Sequence, residues 1–166
     1  MYMSSLIPFK GKSIGTRKVN MIRDNEIKVT RINNEEDFKD AQKVRKTVFV
    51  LEQNVPAENE FDQFEDESVH VLVRWKENPI ATGRIRPVED VMKCERICVL
   101  KEARKMGVGK MVVDELEKIA LEKGAKKLIL HAQTHAIPFY EKLGYIITSD
   151  SLFYEEGIPH VSMEKE

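Results

Sequence analysis

Between Ile97 and Lys110 the chain passes from an apolar strand pattern, Ile97-Cys98-Val99-Leu100, into a helical one through Arg104-Lys105-Met106-Gly107-Val108-Gly109-Lys110. This stretch restricts the fold more than any other. A strand must enter it and a helix must leave it, and the helix start exposes N–H groups that its own backbone cannot satisfy. Those groups, with the positive end of the helix dipole, form a ready site for an anion. Gly107 and Gly109 lack Cβ atoms, so backbone there can come close to a diphosphate. Arg104, Lys105 and Lys110 add formal positive charge. Two other nucleotide motifs fail here. A Walker A loop needs glycine and Ser/Thr where Arg104 and Met111 stand. A dinucleotide fingerprint needs a small residue at the place of Val112. An ordinary helix entry that happens to contain glycine is the alternative at this point.

The flanking pattern sets the architecture. Glu26–Ile32 alternates as a first strand, and Asn33 or Asn34 then caps a helix whose Phe38, Ala41, Val44, Val48 and Phe49 form one apolar stripe. After a polar stretch, Val69–Trp75, Ile80–Ile85 and Glu95–Leu100 predict three successive strands, the first two joined by a turn at Lys76–Pro79. A helix follows the glycine turn, with Val108, Val112, Leu116, Ile119 and Ala120 on one face, and Gly124 ends it. Lys127–His131 predicts a strand, Ala136–Leu143 a short helix, and Tyr145–Thr148 and His160–Met163 the last strands. The order β-α-β-β-β-α-β-α-β-β mixes hairpins with helical crossovers. It predicts an α/β (α+β) fold with one mixed, mostly antiparallel sheet and helices on both faces. At 166 residues the chain suits one domain, residues 26–166, preceded by a basic arm over residues 1–25. The arm carries Lys10, Lys12, Arg17, Lys18 and Arg23 and no acid before Asp24. That composition also suits a transit peptide, but a surface arm on a cytoplasmic protein is the expectation adopted here.

Charge and cysteine content exclude several functions. A net charge of −1 gives no broad attraction to nucleic acid or membrane. Cys94 and Cys98 fall at even spacing on a predicted strand, so both should lie on one face, as buried thiols rather than a disulfide. Combining them with His131 and His135 matches no common zinc spacing, so no metal is expected.

The strand–turn–helix resembles the acetyl-CoA motif of the GNAT (GCN5-related) N-acetyltransferase superfamily, Arg/Gln-x-x-Gly-x-Gly/Ala. Gln133-Thr134-His135-Ala136-Ile137-Pro138-Phe139-Tyr140-Glu141-Lys142-Leu143-Gly144-Tyr145 resembles its second signature. The segments Val44–Gln53, Ala81–Arg86 and Gly157–His160 are similar to the ElaA/YjcF-like branch. The resemblance spans about residues 27–166, with Lys101 where proline is frequent and Gln133 where asparagine is usual.

The resemblance implies an N-acetyltransferase that passes the acetyl group of acetyl-CoA to a primary amine by direct attack in a ternary complex. The turn from Arg104 to Lys110 would hold the pyrophosphate. The strand ending in Val99-Leu100 would splay from its parallel neighbour, so that backbone of Ile97, Cys98 and Val99 reaches the pantetheine and the acetyl carbonyl. Such donors are worth roughly 3–4 kcal/mol in a transition state. Gln133 would line the same site, and Tyr140 would protonate the departing thiolate. The acceptor is a small-molecule amine or a protein or peptide amine, and a homodimer is compatible with the family. A non-catalytic acyl-CoA-binding module with the same fold is the competing reading. For a base the sequence offers Glu60, His70, Glu95, His131 and His160 without choosing among them. The seven acids from Glu52 to Glu67, with no lysine or arginine between them, read equally as a lure for a cationic acceptor or as a solvated loop.

Overall fold

The computed structural model describes residues 26–166, so the basic arm of residues 1–25 lies outside the described residues. Strand β1 (Ile27–Arg31) leads into helix α1 (Glu35–Arg45). The Asn34 side chain caps α1 by accepting from the Asp37 N–H at 2.8 Å. Glu35, Glu36 and Asp37 in the first turn and Lys43 and Arg45 in the last complement the helix dipole. The helix continues over Lys46–Glu52 as a wider π-helical segment, closed by Gln53 N–H to Val48 C=O at 3.1 Å. A short helix, α2 (Ala57–Glu60), follows.

Strands β2 (Val69–Trp75), β3 (Asn78–Val88) and β4 (Val91–Val99) form an antiparallel meander. Helix α3 (Val108–Glu122) crosses to β5 (Leu128–Gln133), which runs parallel to β4. Helix α4 (Ile137–Lys142) precedes β6 (Ile146–Ile147), β7 (Phe153–Glu155) and β8 (Ile158–Lys165). The sheet order is β1-β2-β3-β4-β5-β8-β6, with β7 also on β8. Only the β4–β5 pair is parallel; the sequence pattern predicts parallel pairs from strand–helix–strand units, but β1 and β2, joined through α1, are antiparallel neighbours.

Strands β3 and β8 run two to three residues beyond the sequence reading at each end, and two further strands differ more. Strand β4 starts at Val91 rather than Glu95, because Glu89 takes φ +53° and closes a two-residue turn between paired Val88 and Val91. Strand β7 was not anticipated. Glu156 and Gly157 both adopt positive φ (+51° and +73°), which closes a tight hairpin between Glu155 and Ile158.

The apolar residues divide between two faces. One cluster, including Val71, Ala81, Ile85, Cys94, Ile97, Leu116, Ile119 and Leu130, packs α3 on the sheet. A second, Val44, Val48, Phe49, Val55 and Cys98, packs α1 and the π-helical segment on the opposite side. The two cysteines therefore do not share a face, contrary to expectation. The pairs Thr82↔Cys98 and Arg84↔Glu95 leave Gly83 opposite both Arg96 and Ile97. That β-bulge adds one residue to β4 and reverses the side-chain alternation beyond it. Arg96 carries the strain, with φ +56°. Among the described residues no helix is long and apolar enough to cross a membrane.

Candidate active site

The parallel ladder between β4 and β5 holds only from Met92↔Leu128 to Cys94↔Leu130. Both strands then continue, β4 to Val99 and β5 to Gln133, without pairing to each other. The bulge at Arg96 bends β4 at this parting. The backbone of Ile97, Cys98 and Val99 is thus released from its parallel neighbour, on the edge that the family resemblance implies for the pantetheine.

Beyond Val99 the chain makes one 3-10 turn at Lys101–Ala103 and reaches the glycine turn. Lys105 (φ +67°) and Gly107 (φ +75°) are both left-handed, and Gly107 is the N-cap of α3. No side chain caps this helix and no acid lies in its first turn, so its leading N–H groups are left for an anion. A Cβ on Gly107 would meet nothing within 4 Å, whereas one on Gly109 would lie 3.4 Å from the Phe139 ring. Val99, Ala103, Arg104, Gly107, Gly109 and Phe139 line a cavity of about 180 Å³ here, along with Lys105, Val108 and Lys110. Met106 packs against the core rather than the cavity.

The charges of this turn are less available than the sequence suggests. The Arg104 guanidinium donates to both Glu52 carboxylate oxygens (2.8 and 2.6 Å) and to the Val99 carbonyl (3.2 Å). Lys110 is paired with Asp114 one turn along the helix at 2.6 Å. Lys105 makes no ion pair among the described residues. Arg104 consequently ties the π-helical segment to the end of β4, in addition to any charge it presents.

Gln133, fully buried at the end of β5, exchanges two amide hydrogen bonds with Gln53 at 2.9 and 3.0 Å. This pair joins β5 to the segment following α1 across the parted strands. Tyr140 is also fully buried, its ring edge-on to Phe139 and Tyr145. Its hydroxyl has no hydrogen-bond partner among the described residues. Burial, with the nearby Cys94 and Cys98 thiols, pushes its pKa well above that of an ordinary phenol, so it stays protonated and able to donate.

The candidate bases separate clearly. Glu95 pays for burial, yet hydrogen bonds from Arg86 and the charges of Arg84 and Lys93 hold it well below the usual carboxylate range. It cannot hold a proton at neutral pH. The His70 ring meets the Glu65 carbonyl at 2.9 Å and packs edge-on to Phe38, and burial lowers its pKa. His131 Nδ1 lies 2.6 Å from Glu155 and the ring is edge-on to Phe153. His160, buried on β8 opposite Gln133, stacks on Phe153 with Nδ1 2.7 Å from the Ile158 carbonyl. Glu60 is buried between Arg45 and Arg96, its Oε1 2.9 and 3.2 Å from their Nε atoms. Its burial raises its pKa despite both arginines.

The acidic segment is neither a solvated loop nor a free negative surface. Glu52 binds Arg104, Glu60 binds Arg45 and Arg96, Asp62 binds Arg84 and Arg96, Glu65 binds Arg45 and Arg84, and Glu67 binds Arg86. Five of the seven acids are taken by arginines from α1, β3, β4 and the glycine turn, so the electrostatic lure is largely spent inside the protein. Sequence reading also missed Gln53, Phe139, Arg45 and Arg96 as parts of the site. Phe139 could have been found from its place beside Tyr140, and Arg45 and Gln53 from the branch-like segment Val44–Gln53 that contains them, but nothing local marks Arg96.

The family profile of the acetyltransferase (GNAT) domain matches residues 34–166. The chain is 49% identical over 140 residues to YjcF of Bacillus subtilis, an uncharacterized N-acetyltransferase, covering 84% of this chain and 100% of that one. Its fold is similar to the crystal structure of a candidate N-acetyltransferase from Lactobacillus plantarum, with TM-score 0.78, 30% identity, and coverage of 85% and 98% of the two chains. It is also similar in fold to a GNAT family acetyltransferase from Elizabethkingia anophelis with acetyl-CoA bound, with TM-score 0.65, 16% identity, and coverage of 87% and 99%.

Proposed function

Because this chain belongs to the GNAT acetyltransferase family, we propose that it transfers the acetyl group of acetyl-CoA to a primary amine, by direct attack within a ternary complex. One observation carries the reading. The buried, unpartnered Tyr140 hydroxyl lies on the helix following β5, where β5 and β4 have parted beside an uncapped helix start. A buried hydroxyl without a partner costs roughly 1–3 kcal/mol, and a thioester sulfur seated between the strands would relieve it.

Acetyl-CoA supplies the activated acyl group and the thiolate leaving group. The first-turn N–H groups of α3, with Gly107 and Gly109 keeping the approach open, bind the diphosphate, and Lys105 and Lys110 add charge at its edge. Backbone of Ile97, Cys98 and Val99 pairs with the pantetheine and polarises the acetyl carbonyl. Arg104 and Gln133 support the site from behind. Arg104 anchors Val99 and Glu52, and Gln133 spans to Gln53. Tyr140 gives its proton to the departing thiolate and recovers one from the new amide nitrogen through solvent.

The test is calorimetric titration with acetyl-CoA and with ATP, followed by an acceptor screen that detects released CoA thiol. Binding of acetyl-CoA alone, with amine-dependent thiol release, is the expected result. Binding without turnover on any amine would leave a non-catalytic acyl-CoA-binding module, and no binding would remove the reading altogether.

A further inference from the structure

Beyond Cys94 and Leu130 the ends of β4 and β5 no longer pair, yet an unbroken run of side-chain contacts connects them. The Val99 carbonyl accepts from Arg104 (3.2 Å), and Arg104 donates to both carboxylate oxygens of Glu52 (2.8 and 2.6 Å). The next residue, Gln53, exchanges amide hydrogen bonds with Gln133 (2.9 and 3.0 Å). Adjacent residues at the end of the π-helical segment thus bind opposite banks of the parting. Val99 and Arg104 also line the cavity at the glycine turn, so this bracket begins at the cofactor cavity itself. Gln53 has little freedom within it. Glu52 is held on one side, and on the other Asn54 turns through φ +61° while buried Val55 donates its N–H to the Phe49 carbonyl at 2.9 Å.

The bracket lies on one face of the sheet. Leu130 and Ala132 point into the cluster beneath α3, so strand alternation sends Gln133 to the α1 face, where Cys98 also lies. Tyr140 belongs to the α3 cluster. The parting therefore has Tyr140 on one side and the Gln53–Gln133 pair across the other. A thioester is planar at its carbonyl carbon, with sulfur, oxygen and acyl substituent spread evenly in that plane. Sulfur directed to Tyr140 and oxygen directed to the β4 backbone leave the third bond pointing away from both. It points to the end of β5 on the α1 face. The amine attacks perpendicular to the plane, so the acyl substituent, not the amine, faces the paired glutamines.

Resting on the acetyltransferase reading, we infer that the Gln53–Gln133 pair is the wall that ends the acyl site, admitting an acetyl group and turning away longer acyl chains. A methyl group stops short of the pair, whereas a propionyl or butyryl chain has to part it. Gln133 is wholly buried, and methylenes that displace its amide partner return nothing for the lost hydrogen bonds. Such a polar wall discriminates more sharply than an apolar pocket of the same size, which can yield to an extra methylene. The ion pair of Glu52 with Arg104 keeps Gln53 from swinging aside, so the glycine turn and the acyl limit are set by one connected run of residues.

Calorimetric titration of the full-length protein with CoA, acetyl-CoA, propionyl-CoA and butyryl-CoA tests this without an acceptor. Wild type should bind butyryl-CoA about 10²-fold more weakly than acetyl-CoA, with propionyl-CoA between them. Gln53→Ala takes away the wall, and the difference between acetyl-CoA and butyryl-CoA should shrink to within about tenfold. The ratio is the deciding quantity, because a residue that only braced the strand ends would weaken every ligand alike, CoA included. Equal binding of acetyl-CoA and butyryl-CoA by wild type overturns the inference, as does a Gln53→Ala variant whose ratio stays that of the parent. In either case the acetyltransferase reading stands. Failure of wild type to bind any of the CoA ligands removes both. If Gln53→Ala does not fold, Gln133→Asn, an amide one methylene too short to reach Gln53, decides by the same ratio.

Discussion

Tyr140→Phe removes one buried oxygen that has no partner in the protein, so packing should be unchanged and stability equal or slightly higher. Turnover should fall roughly 10²–10⁴-fold with acetyl-CoA affinity nearly constant, because the lost proton is needed mainly in the transition state. Steady-state kinetics beside calorimetry separates these quantities, and an unchanged kcat would reduce Tyr140 to packing. Gly107→Val should behave in the opposite way. Space around Gly107 is open but its φ is +75°, so a branched residue brings a backbone cost of at least about 1–2 kcal/mol and a side chain where the diphosphate must approach. The protein should remain folded and lose acetyl-CoA binding, and retained affinity would reassign the turn. At this scale the sequence was informative where chemistry is local. Gly107, Gly109 and Arg104 stood out locally as a charged, glycine-bearing helix entry and Tyr140 only through the family resemblance, whereas the places of Gln53 and Glu60 are set by Gln133 and Arg96, 80 and 36 residues away.

Between elements, the critical distance is that from α3 to the sheet. A Cβ on Gly83 would lie 2.7 Å from Val112 Cγ1 and 3.2 Å from both Ile97 and Leu116. Gly83→Ala should therefore overpack the core and destabilise by roughly 1–3 kcal/mol, read as a lower denaturant midpoint. It should also weaken acetyl-CoA binding, since moving α3 moves its N-terminus. A midpoint equal to that of the parent would show that α3 sits loosely on β3. The same glycine faces the β4 bulge, so one position both admits the helix and accommodates the extra residue. Elements with a long apolar period, such as α3 and β2, could be read directly. The bulge could not be, because one inserted residue leaves no compositional mark while it turns Cys98 away from Cys94.

Across the whole molecule, the arginine–carboxylate network closes the segment from Glu52 to Glu67 over the sheet, and it should make the fold acid-labile. Against the cost of burial, pairing with arginines lowers the folded-state pKa values of Asp62, Glu65 and Glu95. A carboxylate lowered in this way stabilises the fold above its unfolded pKa and loses that contribution as pH falls through its folded value. Glu60, raised by burial, has the opposite sign and is outnumbered. The melting temperature should hold near neutral pH and drop below about pH 4. Glu95→Gln should cost roughly 3–5 kcal/mol at pH 7, with a difference from the parent that narrows in acid. A flat wild-type profile would show the network to be neutral toward folding. The sequence by itself determined most of the order of strands and helices, the mixed sheet, and a glycine-bearing helix start after β4, because each depends on periodicity or on a residue type acting over a few neighbours. Only the tertiary structure decided where β4 and β5 part, which face each cysteine takes, and which acids are spent on arginines. These are long-range pairings, and a charge in a sequence carries no record of the partner that burial will force upon it.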